Sequence, residues 1–397
     1  MKETEDFLLL VEETEAPSEQ AVPEAVKTPH RKLKKDKKKS RKRIWIKVLV
    51  SVFTVLACVV ITAILACQIL LNGPSTTMRD ALVLSAKQAS ATKWVPGLFL
   101  PEELVRSIEE GSKTVTYDVI SMDSMVPTVP EGEEVVDEWA DAIDGIRFIN
   151  ITKPAFKAYL LMVKDPSRVF VGTSSDFKSG QVGSRIFDIV EQYNAVAAIN
   201  GGEFPDTGGV GSGATPIGIT YAGGKMVWAS PTNRTFMGLT NDHKLIVSEG
   251  MTQARANELG MRDGVCFQSG NCLITNDGEN MTIHYSDGDT GRAQRTAIGQ
   301  RADGTLLLLV TDGRTASSIG ATHNELINLM LEYGAVAAGK LDGGSSAMMY
   351  YRDYFNLYNY DMSTLDEYQR RGLVNSYKAF TEPRRLPTYF IVGGTQE

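Results

Sequence analysis

The chain has little of what usually marks a metal centre or a catalytic nucleophile. It holds four cysteines and four histidines in 397 residues. No Cys/His group has zinc-ligand spacing. No G-x-S-x-G elbow is present, so no Ser-His-Asp triad is legible. His30, His243, His284 and His323 fall beside a basic run, in a hairpin, in a polar strand and in a helix cap, where a histidine is ordinarily structural or solvent-facing. Cys58 and Cys67 lie in an apolar run. Cys266 and Cys272 either close a small disulfide loop in an oxidising compartment or stay as two buried thiols.

Charge is unevenly placed. The formal net charge is −7, yet residues 31–43 (RKLKKDKKKSRKR) are almost wholly basic. Residues 44–71 (IWIKVLVSVFTVLACVVITAILACQILL) follow with Lys47 as their one charge, and exceed the ~20 residues that a bilayer crossing requires. Trp45 sits where an interfacial anchor belongs, and Lys47 can snorkel. The run is too long, and starts too late, for a cleaved signal peptide. Basic residues that precede a span stay in the cytoplasm. The expectation is a single-pass protein of the cell membrane, with its N-terminus cytoplasmic and its bulk extracellular. The membrane accounts for the basic run, and no nucleic-acid partner is expected.

Four segments follow from this. Residues 1–43 are a disordered cytoplasmic tail rich in Glu, Pro and Ser that ends in the basic run. Residues 44–71 are the transmembrane helix. Residues 72–144 are a membrane-proximal helical stalk, with helices expected over 76–91, 101–110 and 131–142. Residues 145–397 form the remaining domain. There, strands are expected over 146–151, 155–163 and 168–171, with hairpins at 217–228, 235–247 and 295–311. A return strand over 346–350, an aromatic-rich insertion over 351–379 and a closing strand over 387–392 complete it. Residues 306–310 (LLLLV) are apolar throughout and should be buried on both faces. Helices are expected over 185–193 and 252–259, and another opens at the capping box Thr322-His323-Asn324-Glu325 and ends at Gly334. The fold class is α+β: a mixed, largely antiparallel sheet with packed helices, preceded by the transmembrane helix and the stalk.

Two stretches match each other. Residues 191–202 (EQYNAVAAINGG) and 332–344 (EYGAVAAGKLDGG) each read as a helix end, a turn, a short apolar strand, then a carboxamide or carboxylate before two glycines. Glycine pairs allow positive φ and close backbone approach, and strand ends are rigid platforms for chemistry. The glycine-rich loop over 204–215 (FPDTGGVGSGAT) follows the first stretch and is placed to fold over a ligand. Asn200, Glu203, Arg295, Asp312, Arg314, Asp342 and Ser345 all fall at strand ends or turns. Carboxylates so placed serve as nucleophile, general base or ligand to a hard cation, and arginine suits phosphate or carboxylate.

In order, Asn200-Gly201-Gly202, Pro216-Ile217-Gly218, Arg295-Thr296-Ala297-Ile298-Gly299, Asp312-Gly313-Arg314 and Asp342-Gly343-Gly344-Ser345-Ser346 resemble the motifs of the phosphodiester glycosidase family, over about residues 145–393. The chain departs from the family pattern in two places. Glu203 stands where an aromatic usually follows Asn-Gly-Gly, and the Asp342 motif has one glycine fewer than Asp-Gly-Gly-Gly-Ser. The resemblance implies hydrolysis of a sugar-1-phosphodiester at the glycosidic C–O bond. Asp342 would then be nucleophile or water-activating base, with Asp312 or Glu203 as acid/base support. Arg295 would hold the phosphate and Asn200 the sugar or phosphate, with Gly201, Gly202, Thr296, Arg314, Gly343, Gly344 and Ser345 lining the substrate site. The partner implied is a phosphodiester-linked sugar or envelope polysaccharide, as in relatives labelled exopolysaccharide-related. Two other classes stay open: a glycan-binding or assembly protein without turnover, and a phosphodiesterase cutting P–O, with Asp312 and Asp342 on Mg²⁺ or Ca²⁺.

Overall fold

A computed structural model describes residues 32–73, 76–87, 92–111, 115–122, 137–178, 181–207, 211–286, 291–315, 318–377 and 382–395. The chain divides into Met1–Leu65 and Ala66–Glu397. In the first unit the described residues are helical from Lys32 onward. Arg43–Asn72 is long and apolar enough to cross a membrane, and leaves Leu49, Phe53 and Ile61 exposed. Of the disordered tail expected over 1–43, residues 1–31 lie outside the described residues, and residues 32–43 are helical, continuous with the apolar helix.

The second unit opens with helices Thr76–Lys87 and Glu102–Gly111, which pack Val83, Leu84, Val105 and Ile108 together. Of the third expected stalk helix, residues 131–136 lie outside the described residues and residues 138–141 form a turn. An unanticipated strand, Val115–Ser121, pairs with Asn280–Ser286.

Three sheets, antiparallel at every pairing described, build the rest. The eight-stranded sheet runs Val115–Ser121, Asn280–Ser286, Cys272–Asn276, Ala335–Leu341, Arg295–Arg301, Leu306–Thr311, Lys157–Val163 and Ile146–Thr152. The five-stranded sheet runs Lys225–Ala229, Ile219–Ala222, Met261–Phe267, Thr235–Thr240 and Leu245–Glu249. The four-stranded sheet runs Met349–Tyr351, Ala197–Asn200, Thr388–Val392 and Val169–Thr173.

The inner faces of all three sheets share one core that includes Phe148, Leu161, Ile199, Val265, Leu308 and Phe390. On its other face the eight-stranded sheet packs under helix His323–Glu332, through Leu326, Ile327 and Met330. The four-stranded sheet is covered by helix Ile186–Gln192. Strand Leu306–Thr311 lies between two layers. Leu306, Leu308 and Val310 face the inner core, and Leu307 and Leu309 face the helix. That is why its sequence shows no polar alternation.

The return strand is Met349–Tyr351, because residues Gly344–Ser346 coil into a 3-10 turn first. The aromatic insertion folds back onto the sheet, placing Tyr354 4.5 Å from Phe148, ring centre to ring centre. Cys266 and Cys272 are both free and buried. They pack in different clusters, Cys266 on the outer side of the five-stranded sheet and Cys272 in the shared core, so no small disulfide loop forms.

The capping box is present. Glu325 N donates to Thr322 Oγ1 at 3.2 Å, and Thr322 N donates to Glu325 Oε2 at 2.9 Å. Replacing Thr322 by Ala removes one half of this exchange and is expected to cost about 1 kcal/mol, measurable as a lowered midpoint in denaturant unfolding.

Candidate functional site

The two matching bends meet. Asn200 ends a strand of the four-stranded sheet and Asp342 follows a strand of the eight-stranded sheet, yet Asp342 N donates to Gly201 O at 3.3 Å. The buried Asn200 carboxamide ties them. Its Nδ2 donates to Asp342 O at 2.6 Å, while its Oδ1 accepts from Thr296 Oγ1 at 2.7 Å and from Met348 N at 3.1 Å. Asn200 and Thr296 therefore hold the two bends in register. Both glycines after Asn200 are required by close approach. A Cβ on Gly201 would come within 2.5 Å of Thr388 Oγ1, and one on Gly202 within 2.3 Å of Cys266 O.

On this platform stand the acids. Asp342 is half-buried, and its Oδ1 accepts from Gly343 N at 2.9 Å. Burial pushes its carboxyl up to about 7, with the charge of Glu203 adding to the rise, against the lowering by Ser346, Gly343 N–H and Arg384. Glu203 is pushed up by burial although Arg234 Nε donates to its Oε2 at 2.6 Å. Asp312 is buried behind them and is also pushed up by burial. Its Oδ2 accepts from Tyr159 Oη at 2.8 Å and its Oδ1 from Ser376 N at 2.9 Å.

A cavity of about 90 Å³ is lined by Gln294, Arg314, Gly344, Ser345, Ser376 and Tyr377, among others, and so comes within two residues of Asp342 in the chain. Arg314 adopts a positive φ of 57° and its side chain is exposed. A Cβ on Gly344 would stand 3.6 Å from its Nη1. Gln294 Nε2 donates to Gly313 O at 2.8 Å, and Gln294 Oε1 is buried without a hydrogen-bond partner.

Of the residues singled out from sequence, Asn200, Gly201, Gly202, Glu203, Thr296, Asp342, Gly343, Gly344, Ser345 and Arg314 come together, with Asp312 behind Ser376. Arg295 does not join them. Along strand Arg295–Arg301, Ile298 faces the shared core and Ala297 the helix side. Alternation therefore puts Thr296 at the bends and Arg295 on the helix side. There its Nε donates to Ala321 O at 3.2 Å and its Nη2 to Gly291 O at 2.7 Å. Asn200 likewise directs its carboxamide at the protein.

Asp312 and Asp342 make a poor cage for Mg²⁺ or Ca²⁺, because both oxygens of Asp312 already accept hydrogen bonds. Among the described residues no group of three or more His, Cys, Asp or Glu side chains is placed to hold a metal ion.

Sequence reasoning missed Arg384, Asp206, Arg234, Gln294, Ser376 and Tyr377. Arg384 donates from Nη1 and Nη2 to the two oxygens of Asp206, each at 2.7 Å. Tyr377 Oη donates to Ser345 O at 2.8 Å. The one signal available was the Arg384-Arg385 pair just before the closing strand.

Replacing Asn200 by Ala would strand Thr296 Oγ1, Met348 N and Asp342 O. Each buried group left unpaired costs about 1–3 kcal/mol, so the variant is expected to lose at least ~3 kcal/mol by chemical unfolding.

Among solved structures, the chain is similar to the catalytic domain of zebrafish N-acetylglucosamine-1-phosphodiester α-N-acetylglucosaminidase, auto-inhibited by its pro-peptide. Identity is 17% and the TM-score 0.46, over 70% of this chain and 89% of that one. It is also similar to a hypothetical protein from Synechocystis, at 13% identity and a TM-score of 0.37, over 62% of this chain and 61% of that one. Among curated proteins, the SPbeta prophage-derived uncharacterized protein YomE of Bacillus subtilis is 47% identical over 53 residues, a match that spans 13% of this chain and 8% of YomE. The pattern of the phosphodiester glycosidase family matches residues 193–393, a stretch that contains both bends and the cavity. The chain belongs to the phosphodiester glycosidase family.

Proposed function

We propose that the chain is a hydrolase that cleaves the glycosidic C–O bond of a sugar-1-phosphodiester, releasing a free sugar and a phosphomonoester. The observation that carries this is the Asp342 carboxyl, raised to about 7, in the bend whose later residues, Gly344 and Ser345, line a small cavity together with Arg314. A base is most effective when its pKa lies near the working pH. In the proposed step a water oxygen bonds to C1 of the sugar while Asp342 takes the water's proton. The C1–O bond breaks and its electrons leave with the phosphomonoester. Such a leaving group needs little protonation, so an arginine that takes up its charge matters more than a strong acid. The geometry supports Arg314 in that role rather than Arg295. Glu203 assists through its charge, which helps keep Asp342 basic, and Asp312 supports the wall through Ser376. Ser345, Gly343 and Gly344 border the ligand.

The helix Arg43–Asn72 and the basic run before it support a protein anchored in the cell membrane with its N-terminus cytoplasmic. The domain over 145–397, with strand Val115–Ser121 joined to its eight-stranded sheet, would then meet a phosphodiester-linked sugar in an envelope or extracellular glycan, with the helices Thr76–Lys87 and Glu102–Gly111 next to the membrane.

Below pH ~7 the base is protonated, and kcat/KM is expected to fall about tenfold per pH unit. Asp342→Asn should lower kcat by ~10²- to 10⁴-fold. Stability gives a second readout. A carboxyl raised from 3.8 to about 7 contributes stability that is present below 3.8 and lost as pH rises through about 7. The Asn variant should therefore show a flatter melting temperature between pH 4 and pH 8. Unchanged turnover and an unchanged pH slope would remove Asp342 from this role.

Hydrolysis in ¹⁸O-water tests which bond breaks. Label in the sugar is expected. Label in the phosphate means P–O cleavage and a different enzyme.

A further inference from the structure

Residues Gly344 and Ser345 lie between two guanidinium groups of unequal standing. On one side is Arg314, exposed and close to Gly344. On the other is Arg384, whose Nη1 donates to Ser345 Oγ at 3.3 Å. Arg384 is already engaged. Both its Nη atoms meet the carboxylate of Asp206 end-on, the two-point geometry that carboxylates and phosphates share.

The pair is held on both sides. The guanidinium lies over the Phe204 ring at 4.9 Å, and Arg384 N donates to Tyr377 Oη at 3.2 Å. Asp206 Oδ1 also accepts from Gly211 N at 2.9 Å. Only 14% of the arginine side chain and 18% of the aspartate side chain are exposed, so the pair is shielded from bulk screening and its charges largely cancel at the cleft. The field of Arg384 nonetheless reaches Asp342, whose carboxyl it lowers.

The proposed reaction changes the charge of its ligand. A phosphodiester carries one negative charge. A phosphomonoester, with a second pKa of about 6, carries nearly two at neutral pH. One open arginine matches the diester, and a second would match the monoester. We infer that Asp206 is a specificity-determining residue: by filling the fork of Arg384 it keeps the cleft suited to a singly charged phosphodiester and weakens its hold on the doubly charged phosphomonoester. This rests on the reading of the cleft as a sugar-1-phosphodiester site. It assigns the start of the glycine-rich loop a task, since Asp206 lies there and reaches Arg384 at a sequence separation of 178.

The test is a ³¹P NMR titration of the full chain in detergent at pH 8, with inorganic phosphate as the dianion and dimethyl phosphate as the monoanion. Asp206→Asn is expected to tighten inorganic phosphate about tenfold, equivalent to ~1.4 kcal/mol, and dimethyl phosphate less than about twofold. Adding Arg384→Gln to that variant should return phosphate to the wild-type value. Asp206→Glu, which keeps the charge, should tighten neither ligand and controls for damage to the loop. Equal tightening of both ligands, no tightening, or weaker phosphate binding in Asp206→Asn would overturn the assignment. The titration reads binding and not turnover. Hydrolysis of a sugar-1-phosphodiester without selective tightening sinks the role of Asp206 alone, and selective tightening without hydrolysis sinks the enzymatic reading alone.

Discussion

One carboxamide holds the cleft together. Asn200 sits on the four-stranded sheet, and its carboxamide reaches across to Asp342 O in the bend and to Thr296 Oγ1 on the neighbouring sheet, while its Oδ1 and its backbone N also bond Met348 on its own side. The sheets share an apolar core, but apolar packing is non-directional and tolerates sliding. Hydrogen bonds to a buried amide do not, because a slip leaves several groups unpaired at once. The position of Asp342 relative to Glu203 thus follows from the sheets by way of this side chain and the bond from Asp342 N to Gly201 O.

Electrostatics at the cleft follow from burial more than from paired charge. Asp342, Glu203 and Asp312 are all raised, each with burial as the leading cause. For Glu203 the nearby Arg234 only partly offsets the rise. Asp206 goes the other way: the Arg384 fork holds its carboxyl below the usual range despite burial. Four acids in one neighbourhood thereby take two opposite states, which is the pattern expected where acid/base work and anion binding share a site.

Much of this was legible in the chain. The membrane-length apolar run, the hairpin over 295–311, the capping box at Thr322 and the two Gly-Gly bends are local signals, and each is found. The strands Met261–Phe267 and Asn280–Ser286 were less legible. The first (MRDGVCF) buries Asp263 and carries an arginine, so its polar residues hide the alternation. Arg295 illustrates a different limit. Its place at a strand end was readable, but which face of that strand the cleft occupies is decided by how three sheets stack. The pairing of Arg384 with Asp206 was not readable, since partners so far apart in sequence leave no local pattern.

Thr388 has a consequence for how the domain matures. Its Oγ1 accepts from Gly202 N at 3.1 Å, and its carbonyl accepts from Gly201 N at 3.0 Å. It belongs to Thr388–Val392, the last strand among the described residues and an inner one of its sheet. A ribosome delivers that strand after every other described one. Until it has paired, the Asn-Gly-Gly bend lacks its floor, so a nascent or truncated chain that has built all the other strands still has no assembled cleft.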